Sequence, residues 1–262
     1  MKKNKSKSYI RANQSAGILG YGEVGKGIAK FYKNPKIKDL KRDDGLNGVE
    51  ILHICIPWSK NFIKIVKKEI KKIKPTVTII HSTVAPFTTK KLALSLPKGI
   101  GGMVVHSPVR GMHPNLYKGI KTFVKYIGTD NKKAGKLAKR HLESLGIKTK
   151  VFQPSVTTEI GKLFSTSYYG LCIAWHGEME KICDKIGIDF EKAITDFNKT
   201  YNEGYKRLGK NNVVRPVLYP PKGGIGGSCI IPNTEIFKKY HNSKALDLIL
   251  KYRSKKKKSK NQ

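Results

Sequence analysis

The sequence is poor in cysteine and in long apolar runs. Its 262 residues include four cysteines, which lie far apart and form no CxxC pair. This pattern gives neither a zinc-ligand set nor a disulfide framework, so a reducing compartment is expected. No run approaches the roughly twenty apolar residues of a membrane span, and no apolar signal-peptide segment follows the basic first residues. We therefore expect a cytoplasmic protein with no membrane partner.

Acidic residues are also scarce. The 18 Asp and Glu residues stand against 53 Lys and Arg residues, which gives a formal net charge of +35. Such a balance can indicate nucleic-acid binding. However, lysine outnumbers arginine 46 to 7, and arginine is the residue preferred for base edges and bidentate phosphate contacts. We therefore predict a general lysine bias and no specific nucleic-acid partner, with a flexible basic arm over 1–14 and a lysine-rich tail over 253–262.

A glycine-rich turn follows the first apolar segment of the chain. A short strand ends at Leu19, the pattern Gly20-x-Gly22-x-x-Gly25 follows, and helical spacing begins at Glu23. In this context Gly20 permits the turn, Gly22 lets the backbone approach a pyrophosphate, and Gly25 lets the helix pack closely. A glycine turn can also be purely structural. The predicted cofactor-binding residues of this turn are Gly20, Tyr21, Gly22, Glu23, Val24 and Gly25.

An acidic residue stands at the distance where it can contact the cofactor. Asp39 comes nineteen residues after Gly20, at the end of a predicted second strand. A carboxylate there accepts hydrogen bonds from the adenosine ribose, which favours NAD. Lys41 and Arg42 could accommodate the extra 2′-phosphate of NADP, and Asp39 could equally be an exposed turn residue.

Strands and helices alternate as far as residue 152. This order predicts an α/β fold, a Rossmann-type doubly wound parallel sheet with its ligand crevice at the carboxyl ends of the strands. Pro57 follows one buried strand, and Ser82 and Thr83 follow the next. These three residues are further cofactor-binding candidates.

From residue 155 the sequence becomes mainly helical. The stretch 157–186 predicts one long helix, which suits a homodimer interface, and 189–208 predicts another. A coil rich in Pro and Gly is expected over 214–233 and a closing helix over 234–252. The predicted domains are an NAD-binding Rossmann domain over 15–153 and a helical catalytic and dimerisation domain over 154–252.

Five motifs, in order, resemble those of the UDP-glucose/GDP-mannose dehydrogenase family. They are GYGEVG (20–25), ICIP (54–57), STV (82–84), SP (107–108) and GIGGSC (224–229). The resemblance runs from about residue 16 to residue 233. It implies an NAD-dependent enzyme that oxidises a CH–OH group of a nucleotide-sugar to a carboxylate through a cysteine thioester.

The resemblance also indicates catalytic candidates. Cys229 can attack an aldehyde as a thiolate, so that the resulting thiohemiacetal gives up a second hydride. Lys162 can stabilise a developing alkoxide or donate a proton. Thr166 lies one turn further along the same helix face, and Thr83 stands where it can hydrogen-bond cofactor or substrate.

Three departures from the family pattern leave the chemistry open. Val109 stands where a glutamate usually follows Ser-Pro, Thr166 where an asparagine is usual, and Asn233 where an aspartate is usual. Only 33 residues follow Cys229, so the family's C-terminal domain is expected to be absent. Two alternatives therefore remain: a two-electron dehydrogenase of the β-hydroxyacid type, and an inactive NAD-binding or scaffold protein.

Overall fold

A computed structural model describes residues 15–227 and 229–254. The predicted basic arm and residues 255–262 of the predicted tail lie outside this part of the chain. The chain divides into two compact units, Met1–Lys162 and Leu163–Gln262. The predicted domain boundary at residue 153 lies shortly before this division. None of the helices in the described residues is long and apolar enough to cross a bilayer.

The first unit is built on a sheet of eight strands in the order β3-β2-β1-β4-β5-β6-β7-β8. The strands are β1 Ala16–Leu19, β2 Lys36–Asp39, β3 Arg42–Asp43, β4 Ile51–Ile54, β5 Val77–Ile80, β6 Val104–His106, β7 Lys125–Gly128 and β8 Thr149–Phe152. The helices that begin in this unit are α1 Glu23–Ala29, α2 Phe62–Ile73, α3 Thr88–Leu94, α4 Leu116–Thr122, α5 Lys132–Ser144 and α6 Val156–Ile186. The short helix α4 was not predicted.

Two strand pairs in this sheet are antiparallel, which differs from the wholly parallel sheet predicted. Strands β2, β1, β4, β5 and β6 are parallel neighbours, whereas β3 pairs antiparallel with β2. Strand β7 also runs against β6, with His106 opposite Gly128, and pairs in parallel with β8. Because β7 runs in the opposite direction, its first residue, Lys125, lies at the carboxyl end of β6.

Apolar cores on both faces of the sheet confirm the predicted doubly wound fold class. Successive strand side chains point to opposite faces, so Ile18 and Leu19 of β1 enter different cores. Helices α1, α4 and α5 cover the face of Ile18, and α2 and α3 cover the face of Leu19. Because both faces of the sheet are covered, every residue of β4 and β5 is buried and most of these residues are apolar.

The second unit is helical. It contains α6 from Leu163 onward, a π-helical turn over Glu191–Asp196, α7 Phe197–Arg207, α8 Ile230–Tyr240 and α9 Lys244–Lys251. Leu163, Ala174, Phe237, Leu246 and Ile249 form its buried core. The single closing helix predicted over 234–252 is wrong, because Ser243 interrupts it and caps α9 by accepting a hydrogen bond from the Ala245 N–H at 3.3 Å.

Candidate functional site

The segment 20–25, the dinucleotide turn, joins β1 to α1. Gly20 has φ +96°, and an added Cβ there would lie 2.7 Å from the Ile56 nitrogen. A Cβ on Gly25 would lie 2.0 Å from the Gly20 carbonyl oxygen, so Gly25 allows α1 to pack on the turn. Gly22, the N-cap of α1, has no atom within 4 Å of such a Cβ. The turn is therefore closely packed at its two ends and open at its middle glycine.

The Asp39 carboxylate lies beside the dinucleotide turn. It accepts hydrogen bonds from the backbone N–H of Tyr21, within the turn, and of Leu40 at 2.6 Å. The Arg42 guanidinium pairs with Asp44 at 2.8 Å and thereby lowers the pKa of the Asp44 carboxyl. A carboxylate thus stands next to the open glycine, while the neighbouring arginine is already engaged by an acid.

The other residues of the turn differ in burial. Val24 and Tyr21 pack in part against the first core, and the Tyr21 ring has Lys26 and Arg42 above it, at 5.9 and 5.7 Å from its centroid. Glu23, the first residue of α1, is exposed and contacts the His113 ring. The edge of the turn is therefore a charged surface.

Candidates Pro57, Ser82 and Thr83 follow β4 and β5. These strands are parallel to β1, so their carboxyl ends reach the same sheet edge as the dinucleotide turn. The Ser82 hydroxyl is buried and donates to the Ile56 carbonyl at 2.5 Å, which ties the two loops together. Pro57 is exposed and Thr83 is half-buried. Thr83 is thus the more accessible of the two hydroxyl candidates.

Lys162 is placed by the first turns of α6. One turn earlier, the buried Glu159 carboxylate accepts hydrogen bonds from the Phe87 N–H at 2.6 Å and from the Thr89 N–H and hydroxyl at 2.8 and 2.6 Å. Burial raises the pKa of Glu159. These bonds fix the start of α6 against the start of α3. The half-buried Lys162 amine then donates to the Val109 carbonyl at 2.9 Å.

A functional candidate that the sequence analysis missed lies beside this contact. Lys125 is 4% exposed and donates to the carbonyls of Ser107 at 2.7 Å and Pro108 at 3.2 Å. Burial lowers the pKa of Lys125 to about 7. The signal available in the sequence was a lysine within the otherwise apolar stretch 123–127.

In the second unit, Cys229 is the N-cap of α8. It is half-buried, and its carbonyl accepts the first helical hydrogen bond, from the Asn233 N–H at 3.0 Å. A helix N-terminus favours negative charge. One turn along α8, the buried Asn233 amide donates to the Thr166 hydroxyl at 3.3 Å. The two positions that depart from the family pattern in this unit are thus bonded to each other.

The glycine run before Cys229 has its own support. Gly223, Gly224 and Gly227 all have positive φ. The Ile225 N–H donates to the Tyr252 carbonyl at 2.5 Å, and the Ser254 N–H donates to the Ile225 carbonyl at 3.1 Å. The segment just after α9 therefore holds this loop in place. Within the residues that the structure describes, no group of three or more His, Cys, Asp or Glu side chains could hold a metal ion.

The curated proteins that match this chain in sequence share one name. The UDP-N-acetyl-D-mannosamine dehydrogenase of Methanococcus maripaludis strain C7 is 33% identical over 168 residues, which are 63% of this chain and 36% of that protein. The enzyme of the same name from Methanocaldococcus jannaschii is 26% identical over 243 residues, 88% of this chain and 51% of that protein. The chain thus spans about a third to a half of the length of these curated relatives. No family model matches.

A solved structure shares the fold. The structure of UDP-D-ManNAc dehydrogenase from Pyrococcus horikoshii matches with a TM-score of 0.73 and 18% identity, over 91% of this chain and 69% of that one. At this identity the match supports the fold, including the doubly wound sheet followed by helices.

Proposed function

We propose that this chain, a relative of the nucleotide-sugar dehydrogenases, uses NAD to oxidise a CH–OH group of a sugar-like substrate with Cys229 as a nucleophile. The observation that carries the proposal is the dinucleotide turn, open at Gly22 and flanked by the Asp39 carboxylate. The names of the relatives suggest a nucleotide-sugar as the substrate class.

The turn fits NAD better than NADP. Phosphates would lie against the open face of Gly22, where the unpaired N–H groups at the start of α1 favour anions. Asp39 would accept hydrogen bonds from the ribose hydroxyls and would repel a 2′-phosphate. Arg42, one of the two residues that could offset that repulsion, is paired with Asp44. NAD would supply the hydride acceptor, and Pro57, Ser82 and Thr83 would line the same sheet edge.

The chain's own residues would handle protons and the aldehyde. The Lys162 amine would stabilise the developing alkoxide or exchange its proton, and Thr83 would hydrogen-bond cofactor or substrate. The Cys229 thiolate would attack the aldehyde carbon to form a thiohemiacetal, and loss of a second hydride would leave a thioester. Thr166 would orient Asn233 through their hydrogen bond.

Hydrolysis of the Cys229 thioester, which would release the carboxylic acid product, is the step that these residues support least. Hydrolysis of a thioester needs a base that takes a proton from water. Val109 has no titratable group, and Asn233 is an amide whose nitrogen is already a donor to Thr166. The thioester would therefore accumulate. The same observation favours the second candidate function, an NAD-binding protein without turnover.

A homodimer through α6 is part of the proposal. Phe164, Tyr168, Trp175, Ile182 and Ile186 are each more than half exposed. At 3.6 residues per turn they fall within about 40° of one another around the helix. Two of them, Phe164 and Tyr168, also line a groove of about 390 Å³, together with Leu171, Phe237 and Leu246, among others. A continuous apolar stripe of this length suits a second copy of the same helix.

Calorimetric titration with NAD tests the cofactor proposal. Gly22→Val should abolish measurable NAD binding in a folded protein, because a branched side chain would occupy the open phosphate position. The matched control is Gly204→Val on α7, where an added Cβ also meets no atom within 4 Å. Asp39→Ala should weaken NAD binding more than NADP binding. Unchanged NAD affinity in folded Gly22→Val would contradict the assignment.

A further inference from the structure

Lys125 is a buried basic residue at the sheet edge to which the proposed reaction assigns no role. It is the first residue of β7 and lies at the carboxyl end of β6, because the two strands are antiparallel. Its amine is bonded to the backbone carbonyls of Ser107 and Pro108, at 2.7 and 3.2 Å. Its neighbours are therefore the loop that follows β6 and not solvent.

Two lysines hold the same short backbone segment. Residues 107–109, the carbonyl segment, present three consecutive carbonyls: those of Ser107 and Pro108 accept from Lys125, and that of Val109 accepts from Lys162 at 2.9 Å. The Ser107 carbonyl also accepts from His81 Nδ1 at 3.0 Å. A shift of this segment would move the acceptor that fixes the Lys162 amine.

Most of the charge around Lys125 is positive. Burial is the largest cause that lowers its pKa to about 7, and the positive charges of Lys162 and Arg110 act in the same direction. The thiol of Cys55 acts in the opposite direction, but burial raises the pKa of that thiol to about 12, so it stays neutral.

Three imidazoles also lie within electrostatic reach of Lys125. Burial lowers the pKa of His53, His81 and His106, and the charge of Lys125 lowers them further. All three are therefore neutral near pH 7. The charge of Lys162 therefore disfavours the protonated form of Lys125.

We propose that Lys125 is a positioning residue for Lys162: it holds the carbonyl segment to which the Lys162 amine is bonded, and the positive charges of the two amines repel each other. The proposal rests on the catalytic role proposed for Lys162. The contact geometry and the charge effect act together, since both lysines bond to adjacent carbonyls of one segment.

Carbon-13 NMR of protein labelled at the lysine ε-carbon tests the charge effect without any turnover. The two signals are assigned by their loss in Lys125→Arg and Lys162→Arg. We expect a Lys125 midpoint near neutral pH, and Lys162→Met should raise it because the neighbouring cation is gone. Lys125→Arg, which keeps its charge, should lower the Lys162 midpoint. Lys136→Met, at an exposed position on α5, should change neither.

An unchanged Lys125 midpoint in Lys162→Met would overturn the charge effect. This variant is sufficient for the test if Lys125→Arg does not fold.

In turnover assays, Lys125→Met should lower kcat by about tenfold or more, with an unchanged KM for NAD. Lys125→Arg should move the Lys162-dependent limb of the pH profile to lower pH. A Lys125→Arg enzyme with normal kcat and an unshifted profile would contradict the proposal. Absence of turnover in the parent chain would contradict the proposed function and leave the NMR result standing.

Discussion

At the scale of single residues, glycine stands at positions 22 and 25 of the dinucleotide turn for different physical reasons. Gly25 is required by packing, because a Cβ would lie 2.0 Å from the Gly20 oxygen. Gly22 is not required by packing, because its Cβ position is empty and its φ of −70° suits any residue. Packing does not explain a glycine at position 22, whereas a ligand bound close to the backbone would explain it.

These reasons predict opposite behaviour for two similar substitutions. Gly25→Ala should lower the free energy of unfolding by roughly 1–3 kcal/mol, the usual cost of overpacking. Gly22→Ala should leave the free energy of unfolding nearly unchanged. Urea denaturation of the two variants checks this, and a large loss in Gly22→Ala with none in Gly25→Ala would show that the packing has been assigned wrongly.

At the scale of elements, a series of buried, hydrogen-bonded side chains connects α5 to the sheet. The Tyr32 hydroxyl lies 2.6 Å from Nε2 of both His141 on α5 and His53 on β4. His53 Nδ1 lies 2.8 Å from Nε2 of His81, the residue that follows β5, and His81 Nδ1 donates to the Ser107 carbonyl. That carbonyl can only accept, and each neutral imidazole has one donor and one acceptor nitrogen. The donor of every hydrogen bond in the series is therefore determined. His141 donates to Tyr32, Tyr32 to His53, and His53 to His81.

These hydrogen bonds require neutral imidazoles, which makes the first unit acid-sensitive. Burial lowers the pKa of His141 to about 4, and it lowers the pKa of His106, which bonds separately to Thr158 and the Ser82 carbonyl, to about 3. Between these values and the ordinary pKa of about 6.5, the unfolded chain binds protons that the folded chain does not. Stability is therefore complete above pH 6.5 and falls as the pH is lowered, by about 1.4 kcal/mol per such histidine at pH 5.5.

Denaturation at pH 7.5 and pH 5.5 measures this effect. His141→Gln should lose about 1.4 kcal/mol less than the parent chain over this interval, because one titrating group is gone. His241→Gln, at an exposed position, is the control and should match the parent. The same pH dependence in all three proteins would contradict the assignment to buried histidines.

Much of the element order could be predicted because the apolar patterns are local. The alternation of strands and helices as far as residue 152 and the long helix α6 follow from such patterns. The direction of β7 could not be predicted, since strand direction depends on pairing between distant segments. The start of α8 at Ile230 was also missed, because Pro232 suggested coil, although proline is tolerated in a first helical turn.

The candidate site could be predicted only where a motif marks it. The turn glycines, Asp39, Lys162 and Cys229 stand in recognisable spacings. Lys125 does not, because its position depends on the antiparallel pairing of β6 and β7. The hydrogen bond between Asn233 and Thr166 likewise joins residues 67 positions apart, which no spacing rule connects.

At the scale of the whole molecule, we propose one unit that binds NAD and a second unit that carries the cysteine nucleophile. Each unit has its own core and its own part of the proposed machinery. The chain spans about a third to a half of its curated relatives, so its activity has to be measured on the chain itself.

The most direct test is the amount of NADH formed per site when the protein is mixed with NAD and a UDP-sugar such as UDP-N-acetylmannosamine. The account predicts a burst approaching about two NADH per Cys229 from the alcohol and about one from the corresponding aldehyde, followed by slow turnover. Intact mass should show the acyl group on Cys229, and Cys229→Ser should lose the aldehyde-dependent NADH. No NADH from any alcohol or aldehyde, although NAD binds, would contradict the account.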